Sequence, residues 1–166
     1  MATVSHMTNE IRQMLYNFGY RAKFEDTPDG RFGCTLSEVD GALQVTGRPQ
    51  ASRFEAIVQA YLCLLSQLNP GQTPPTSVVS IPLDHDSPSD NVTDRLVESL
   101  GREGYEATLE RDRSGYGWRG AMYRHGKPVA FTDYAATKFD ALTHAMGYLV
   151  EHLEAKLDPS SAVATN

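Results

Sequence analysis

No apolar run in the 166 residues exceeds six positions, the longest being residues 60–65. A helix that crosses a bilayer needs about 20 apolar residues, so a membrane span is excluded. Cysteine is scarce, with only Cys34 and Cys63. Two thiols make no disulfide framework, and a reducing cytoplasm is the expected compartment. Residues 1–7 carry neither a basic start nor an apolar stretch, so no secretory signal is expected there. Positive charge is also short, at 15 Lys+Arg against 21 Asp+Glu for a net charge of −6. That balance counts against a general nucleic-acid binder. The signatures of common catalysis are missing as well. There is no Gly-rich phosphate loop, no His-Glu-x-x-His, no Cys-x-x-Cys and no nucleophile elbow, so the expectation is a non-enzyme without cofactor or metal.

What the sequence does hold is a repeat. Shifted by 85 positions, residues 8–68 align without gaps on residues 93–153, and 14 of the 61 pairs are identical. They include Leu15/Leu100, Gly19/Gly104, Tyr20/Tyr105, Gly41/Gly126, Phe54/Phe139 and Leu64/Leu149. In Ala51-Ser-Arg-Phe-Glu-Ala56 against Ala136-Thr-Lys-Phe-Asp-Ala141, every position is identical or conservative. About a third as many identities would arise by chance from average residue frequencies. A duplication is the reading.

Each copy then predicts the same elements. Ile11, Met14, Leu15 and Phe18 recur at helical spacing, as do Leu96, Val97 and Leu100. Gly19 and Gly104 stand where a helix wants a left-handed terminal residue. Tyr20, Ala22 and Phe24 alternate with charged residues, and Tyr105, Ala107 and Leu109 repeat this, giving a half-buried strand. Turns at Pro28-Asp29-Gly30 and Ser114-Gly115, then at Asp40-Gly41 and His125-Gly126, lead to a second and a third strand. In those strands an offset of 86 matches Phe32, Leu36, Leu43 and Val45 to Trp118, Met122, Val129 and Phe131 on the apolar face. One extra residue in the first hairpin of the second copy explains the change, because a one-residue slip flips every side chain. A closing helix carries Phe54, Ile57, Tyr61, Leu64 and Leu68, and in the second copy Phe139, Leu142, Met146, Leu149 and Leu153.

The predicted class is therefore α+β. Two αβββα units, residues 5–69 and 90–156, each place two helices on one face of a three-stranded antiparallel sheet. Units of about 60 residues bury too little surface to be stable alone, so the halves are expected to pair as a pseudo-dimer. Residues 70–89 form a linker with five prolines, extended by composition. Its patch Val78-Val79-Ser80-Ile81 either docks on a repeat or belongs to a plain linker. Residues 157–166 are expected to be disordered.

An αβββα unit that opens its second helix with Gly47-Arg48-Pro49-Gln50-Ala51-Ser52-Arg53-Phe54-Glu55-Ala56 resembles the double-stranded RNA-binding domain, here in tandem. In that family, successive basic residues at this helix start grip phosphates. Arg53 and Lys138 fill the first basic position, but Phe54 and Ile57, or Phe139 and Leu142, occupy the next two. The family's Gly-Pro-x-His loop between its first two strands is also replaced. The resemblance implies the fold and speaks against the usual RNA grip; members without the basic helix serve as protein-binding or dimerisation modules.

Among candidate sites, Cys34 and Cys63 fall on apolar faces and read as buried thiols. Asp84-His85-Asp86 cannot converge on a metal without outside ligands. His144 and His152 share a helix face and read as packing or solvated residues. Small ribonuclease toxins also use this fold with one strand histidine, and the only counterpart here, His125, lies in a turn. The most suggestive stretch is residues 110–128, where Arg111, Arg113, Arg119, Arg124 and Lys127 interleave with Tyr116, Trp118 and Tyr123. Arginine with aromatics is the composition of binding hot spots, although a solvated sheet face would read the same way. The partner-binding candidates are Arg111, Arg113, Tyr116, Arg119, Tyr123, Arg124, Lys127 and Lys138. Residues 25–43 hold one basic residue against five acids, so the two sheets are expected to carry opposite charge. The expected function is protein–protein contact, as an adaptor or as an inhibitor of the kind phages and mobile elements carry, directed at a nucleic-acid-handling complex. The alternative is RNA or other nucleic-acid binding through the second repeat, and self-association as a homodimer is a further option.

Overall fold

The computed structural model describes residues 4–69, 73, 75, 78 and 89–157. Most of the proline-rich linker, with Asp84-His85-Asp86, and the tail after residue 157 lie outside them. Within the described residues the chain is α+β, with four helices and two antiparallel sheets. Helix α1 (Val4–Asn17) leads to β1 (Tyr20–Asp26), β2 (Phe32–Glu38), β3 (Gln44–Thr46) and α2 (Arg53–Leu68). Helix α3 (Ser89–Arg102) leads to β4 (Glu106–Arg111), β5 (Trp118–Arg124), β6 (Lys127–Ala135) and α4 (Lys138–Leu157). Each sheet has three strands in sequence order.

Local chemistry sets these boundaries. Gly19 and Gly104 end α1 and α3 at φ +95° and +91°, a region that costs glycine nothing. Ser52 caps α2 by accepting from the Glu55 N–H at 3.1 Å, and the Glu55 carboxylate accepts from the Ser52 hydroxyl. Thr137 does the same for α4 through the Asp140 N–H at 3.0 Å. The most alike block of the two copies is thus a pair of helix caps.

In the strands, Tyr20, Ala22, Cys34, Leu36 and Val45 point into the core while Arg21 and Lys23 point out. The hairpin between β1 and β2 spans 27–31, and that between β4 and β5 spans 112–117. The second is one residue longer, so Leu36 and Met122 are equivalent at an offset of 86, as expected. Phe131 breaks the expectation, because it is 58% exposed. The cause lies in a register shift just past the next turn. Ser37 pairs with Gln44 across a six-residue loop, whereas Arg124 pairs with Lys127 across His125-Gly126 alone. Both turn residues have positive φ, 54° and 78°, as a tight two-residue hairpin requires. That shortening is by an even number of residues and keeps each side chain on its face; the one-residue shift beside Met122 makes Ala130 its inward neighbour and turns Phe131 out. A second correction concerns charge. The outer face of the first sheet carries Arg21, Lys23 and Glu25 with Thr35 and Ser37, while Asp26, Asp29, Glu38 and Asp40 sit at the hairpin ends. The two sheet faces are therefore not of opposite sign.

Both halves contribute to one core. Helix α2 is buried nearly all round, as a central helix must be. It lies against α4, with the rings of Phe54 and Phe139 6.4 Å apart. The Tyr61 hydroxyl donates to the Met146 carbonyl at 2.8 Å. Both contacts join residues 85 apart in sequence. A constant difference means that α2 and α4 run parallel, with their N-termini at the same end. Further contacts repeat with the same spacing. Tyr20 donates to Glu154, and at the equivalent positions Asn69 donates to the Tyr105 hydroxyl at 3.5 Å. Of the linker, Pro75 and Val78 are buried, and Gln59 donates to the Pro75 carbonyl at 2.9 Å. At these residues the segment docks on α2.

Candidate functional site

The eight residues singled out by sequence divide between the two ends of β5. Six residue steps separate Trp118 from Arg124, about 20 Å along an extended strand. At the loop end stand Arg111, Arg113, Tyr116, Arg119 and Lys138. At the other end stand Tyr123, Arg124 and Lys127.

The loop end is built on residues 112–117. The Asp112 N–H donates to the Gly117 carbonyl at 2.8 Å, closing the hairpin. The Asp112 carboxylate accepts from the Ser114 hydroxyl at 2.6 Å and faces Arg119 Nε at 3.3 Å. The Ser114 bond, backbone donors and the Arg119 charge hold that carboxyl below the usual carboxylate range. Tyr116 is 84% exposed at the loop tip. Tyr134 lies across Gly117, where any Cβ would collide with its ring, and its hydroxyl donates to the Tyr116 carbonyl at 3.2 Å. A register shift opposite Arg119 accompanies this placement. Tyr134, more than half exposed, therefore joins Tyr116 at the loop end, while Phe131, also exposed, stands opposite Ala121 in mid-strand. Sequence reading missed both, because register shifts in β6 that no residue pattern announces set where they stand.

Trp118 is half-buried and does not offer a free face. The Arg111 guanidinium carbon lies 5.3 Å from its ring centroid and Lys138 Nζ 4.9 Å. Such cation–π contacts contribute about 0.5–1 kcal/mol each at exposed sites. At the far end Arg124 covers the Tyr105 ring at 4.7 Å, Tyr123 is half-buried, and Lys127 is exposed beside the turn.

A cleft of about 380 Å³ opens between α1 and α4, lined by Glu10, Gln13, Asn17, Asp140 and His144 over Met14, Phe18 and Tyr148. Burial first, and then the charge and hydrogen bond of Asp140, push the Glu10 carboxyl up, against the opposing pull of His6 at 2.8 Å. A carboxyl whose pKa is raised by folding favours the folded state while protonated. That contribution is complete below its ordinary 4.5 and is lost as pH rises through the shifted value. Glu10→Gln is therefore expected to melt higher than the wild type at pH 7, with the gap closing towards pH 4. Scanning calorimetry from pH 4 to 8 checks this, and a gap independent of pH would refute it.

The remaining nucleophiles and imidazoles are placed as packing or surface groups. Burial pushes the Cys34 thiol up to about 12 and raises Cys63 as well, so neither is a thiolate at neutral pH. His125 is exposed in its turn, and His152, half-buried on α4, is lowered by desolvation and then by Lys156. Among the described residues no three His, Cys, Asp or Glu side chains are grouped to hold a metal ion, and no helix is long and apolar enough to cross a membrane. Compared with known families and with curated proteins, the chain matches no family model and no curated protein.

Proposed function

We propose that the chain is a duplicated, non-enzymatic binding protein similar to tandem double-stranded RNA-binding domains. In this reading its halves meet as a pseudo-dimer, and it acts by protein–protein contact through the loop end of the second sheet. The duplication is supported by the αβββα order of both halves and by contacts that recur at positions 85 apart. The pseudo-dimer is supported by equivalent residues, Phe54 with Phe139 and Tyr61 with Met146, meeting each other, as they do across a two-fold interface.

One observation carries the functional reading. Tyr116 and Tyr134 are exposed and hydrogen-bonded to each other on the loop end that carries Arg113 and the Asp112–Arg119 pair, an aromatic and arginine surface of hot-spot composition. In this reading the chain serves as an adaptor or inhibitor directed at a nucleic-acid-handling complex. The second reading, RNA binding, draws on Arg111, Arg113, Arg119, Arg124, Lys127 and Lys138, with stacking on exposed aromatics such as Tyr116. It is weakened because these cations divide between the two ends of β5 and because Arg111 and Lys138 already lie over the Trp118 ring.

An anisotropy titration against a labelled RNA duplex of about 20 base pairs, at low and physiological salt, separates the readings. Phosphate-driven binding weakens steeply with salt. The expected result is no salt-sensitive binding, with captured protein partners lost from an Arg113→Glu/Tyr116→Ala/Tyr134→Ala variant. Micromolar RNA binding that falls with salt and disappears in Arg119→Glu/Arg124→Glu would overturn the protein reading.

A further inference from the structure

The first half holds a counterpart of the Arg111–Trp118–Lys138 cluster that the sequence does not advertise. Arg53, at the first position of α2, lies 6.0 Å from the Phe24 centroid and 5.6 Å from Phe32. Arg12 of α1 reaches Phe24 at 6.0 Å. Arg53 is equivalent to Lys138, and Phe32, which opens β2, is equivalent to Trp118, which opens β5. In both halves two cations therefore sit over an aromatic group at the start of the closing helix. Because α2 and α4 run parallel, the two clusters occupy the same end of the molecule, flanking the Phe54–Phe139 contact.

Two neighbouring cations are engaged by carboxylates and these four are not. Arg31 is taken by Asp29 and Arg119 by Asp112. Among the described residues, Arg12, Arg53, Arg111 and Lys138 have no carboxylate within 4.0 Å. A guanidinium or ammonium placed over a ring keeps N–H donors for a carboxylate. The rings thus hold the cations in place before a ligand arrives, which lowers the ordering cost of binding.

We infer that the interaction surface is bipartite, with Arg12 and Arg53 forming a second carboxylate-binding cluster equivalent to Arg111 and Lys138, and that an acidic segment of a protein partner bridges the two. This inference rests on the protein-binding reading above and adds the partner's chemistry. A short acidic segment is favoured over nucleic acid because carboxylates match these donors, while the rings at the two clusters, Phe24, Phe32 and Trp118, already have cations over them.

The test is anisotropy of the full chain against labelled dodeca-glutamate, with penta-glutamate, dodeca-glutamine and the RNA duplex as comparisons. Dodeca-glutamate is expected to bind one to one and dodeca-glutamine not at all. Either double variant, Arg12→Gln/Arg53→Gln or Arg111→Gln/Lys138→Gln, is expected to weaken dodeca-glutamate about tenfold, the loss of one of two linked contacts. Penta-glutamate, with fewer carboxylates to share between the clusters, is expected to bind more weakly than dodeca-glutamate and to lose less than it does in either variant. Unchanged thermal melts show that the variants fold, and Lys138→Arg is expected to retain binding. If Arg12→Gln/Arg53→Gln binds dodeca-glutamate as the wild type does, the bipartite inference fails and the second-sheet reading stands. If neither variant matters, or if dodeca-glutamine binds equally, the acidic-partner inference fails. If the RNA duplex displaces dodeca-glutamate at physiological salt, both this inference and the protein reading fall.

Discussion

Replacing Tyr61 by alanine is expected to lower stability by about 3–5 kcal/mol, the cost of removing a buried aromatic side chain, and to do so in a single transition reported from the far half. Tyr61 is fully buried in α2, and its hydroxyl satisfies the Met146 carbonyl of α4. The substitution therefore opens a cavity in the first half and deletes a hydrogen bond to the second. The only tryptophan, Trp118, lies on β5. It reports the second half alone. A unit of about 60 residues is marginal by itself, whereas the core here is one cluster drawn from both halves. The Trp118 fluorescence midpoint in urea should accordingly move with the circular-dichroism midpoint. Two separated transitions, with Trp118 unmoved, would mean that the halves fold independently and that their contact is incidental.

How much of this was legible in the sequence depends on the range over which each feature is set. The terminal glycines and the alternation in β1 and β4 are local, and the residues state them directly. The first hairpin's extra residue was legible from the shift between Leu36 and Met122. Phe131 was not, because its direction depends on a one-residue register shift in β6 beside Met122. The candidate site was misread in a related way. Residues 111–127 are contiguous in sequence, but an extended strand carries its two ends about 20 Å apart, so one apparent patch became two. Arg12 and Arg53 were invisible for the opposite reason. They are far apart in the chain, and only the packing of α1 and α2 on the same sheet brings both to Phe24. Likewise Phe54 and Phe139 read as two ordinary core positions, and nothing local says that each is the other's neighbour.

The offset between β2 and β5 leads to the second large effect. At 86 positions apart, Cys34 and Gly120 are equivalent, and both are buried. They are not interchangeable in space. A Cβ at Gly120 would lie 2.9 Å from the Ala141 carbonyl oxygen and 3.0 Å from Thr132 Cγ2. The first of these is helix backbone, so α4 would have to lift from the sheet to make room. Valine is a better strand former than glycine, so propensity alone predicts that Gly120→Val stabilises the protein. Overpacking predicts the reverse, a loss of about 1–3 kcal/mol, and since α4 also carries the contacts to Tyr61 and Phe54, the loss is expected at the upper end of that range. Cys34→Val, at the equivalent place where a side chain is already accommodated, is expected to cost less than about 1.5 kcal/mol. Ala121→Val, on the outer face opposite Phe131, is expected to stay within about 0.5 kcal/mol of the wild type. Urea midpoints of the three variants decide the matter. A Gly120→Val protein as stable as Ala121→Val would show that α4 has slack over β5, and the close approach of helix to sheet would lose its place in the account of the fold.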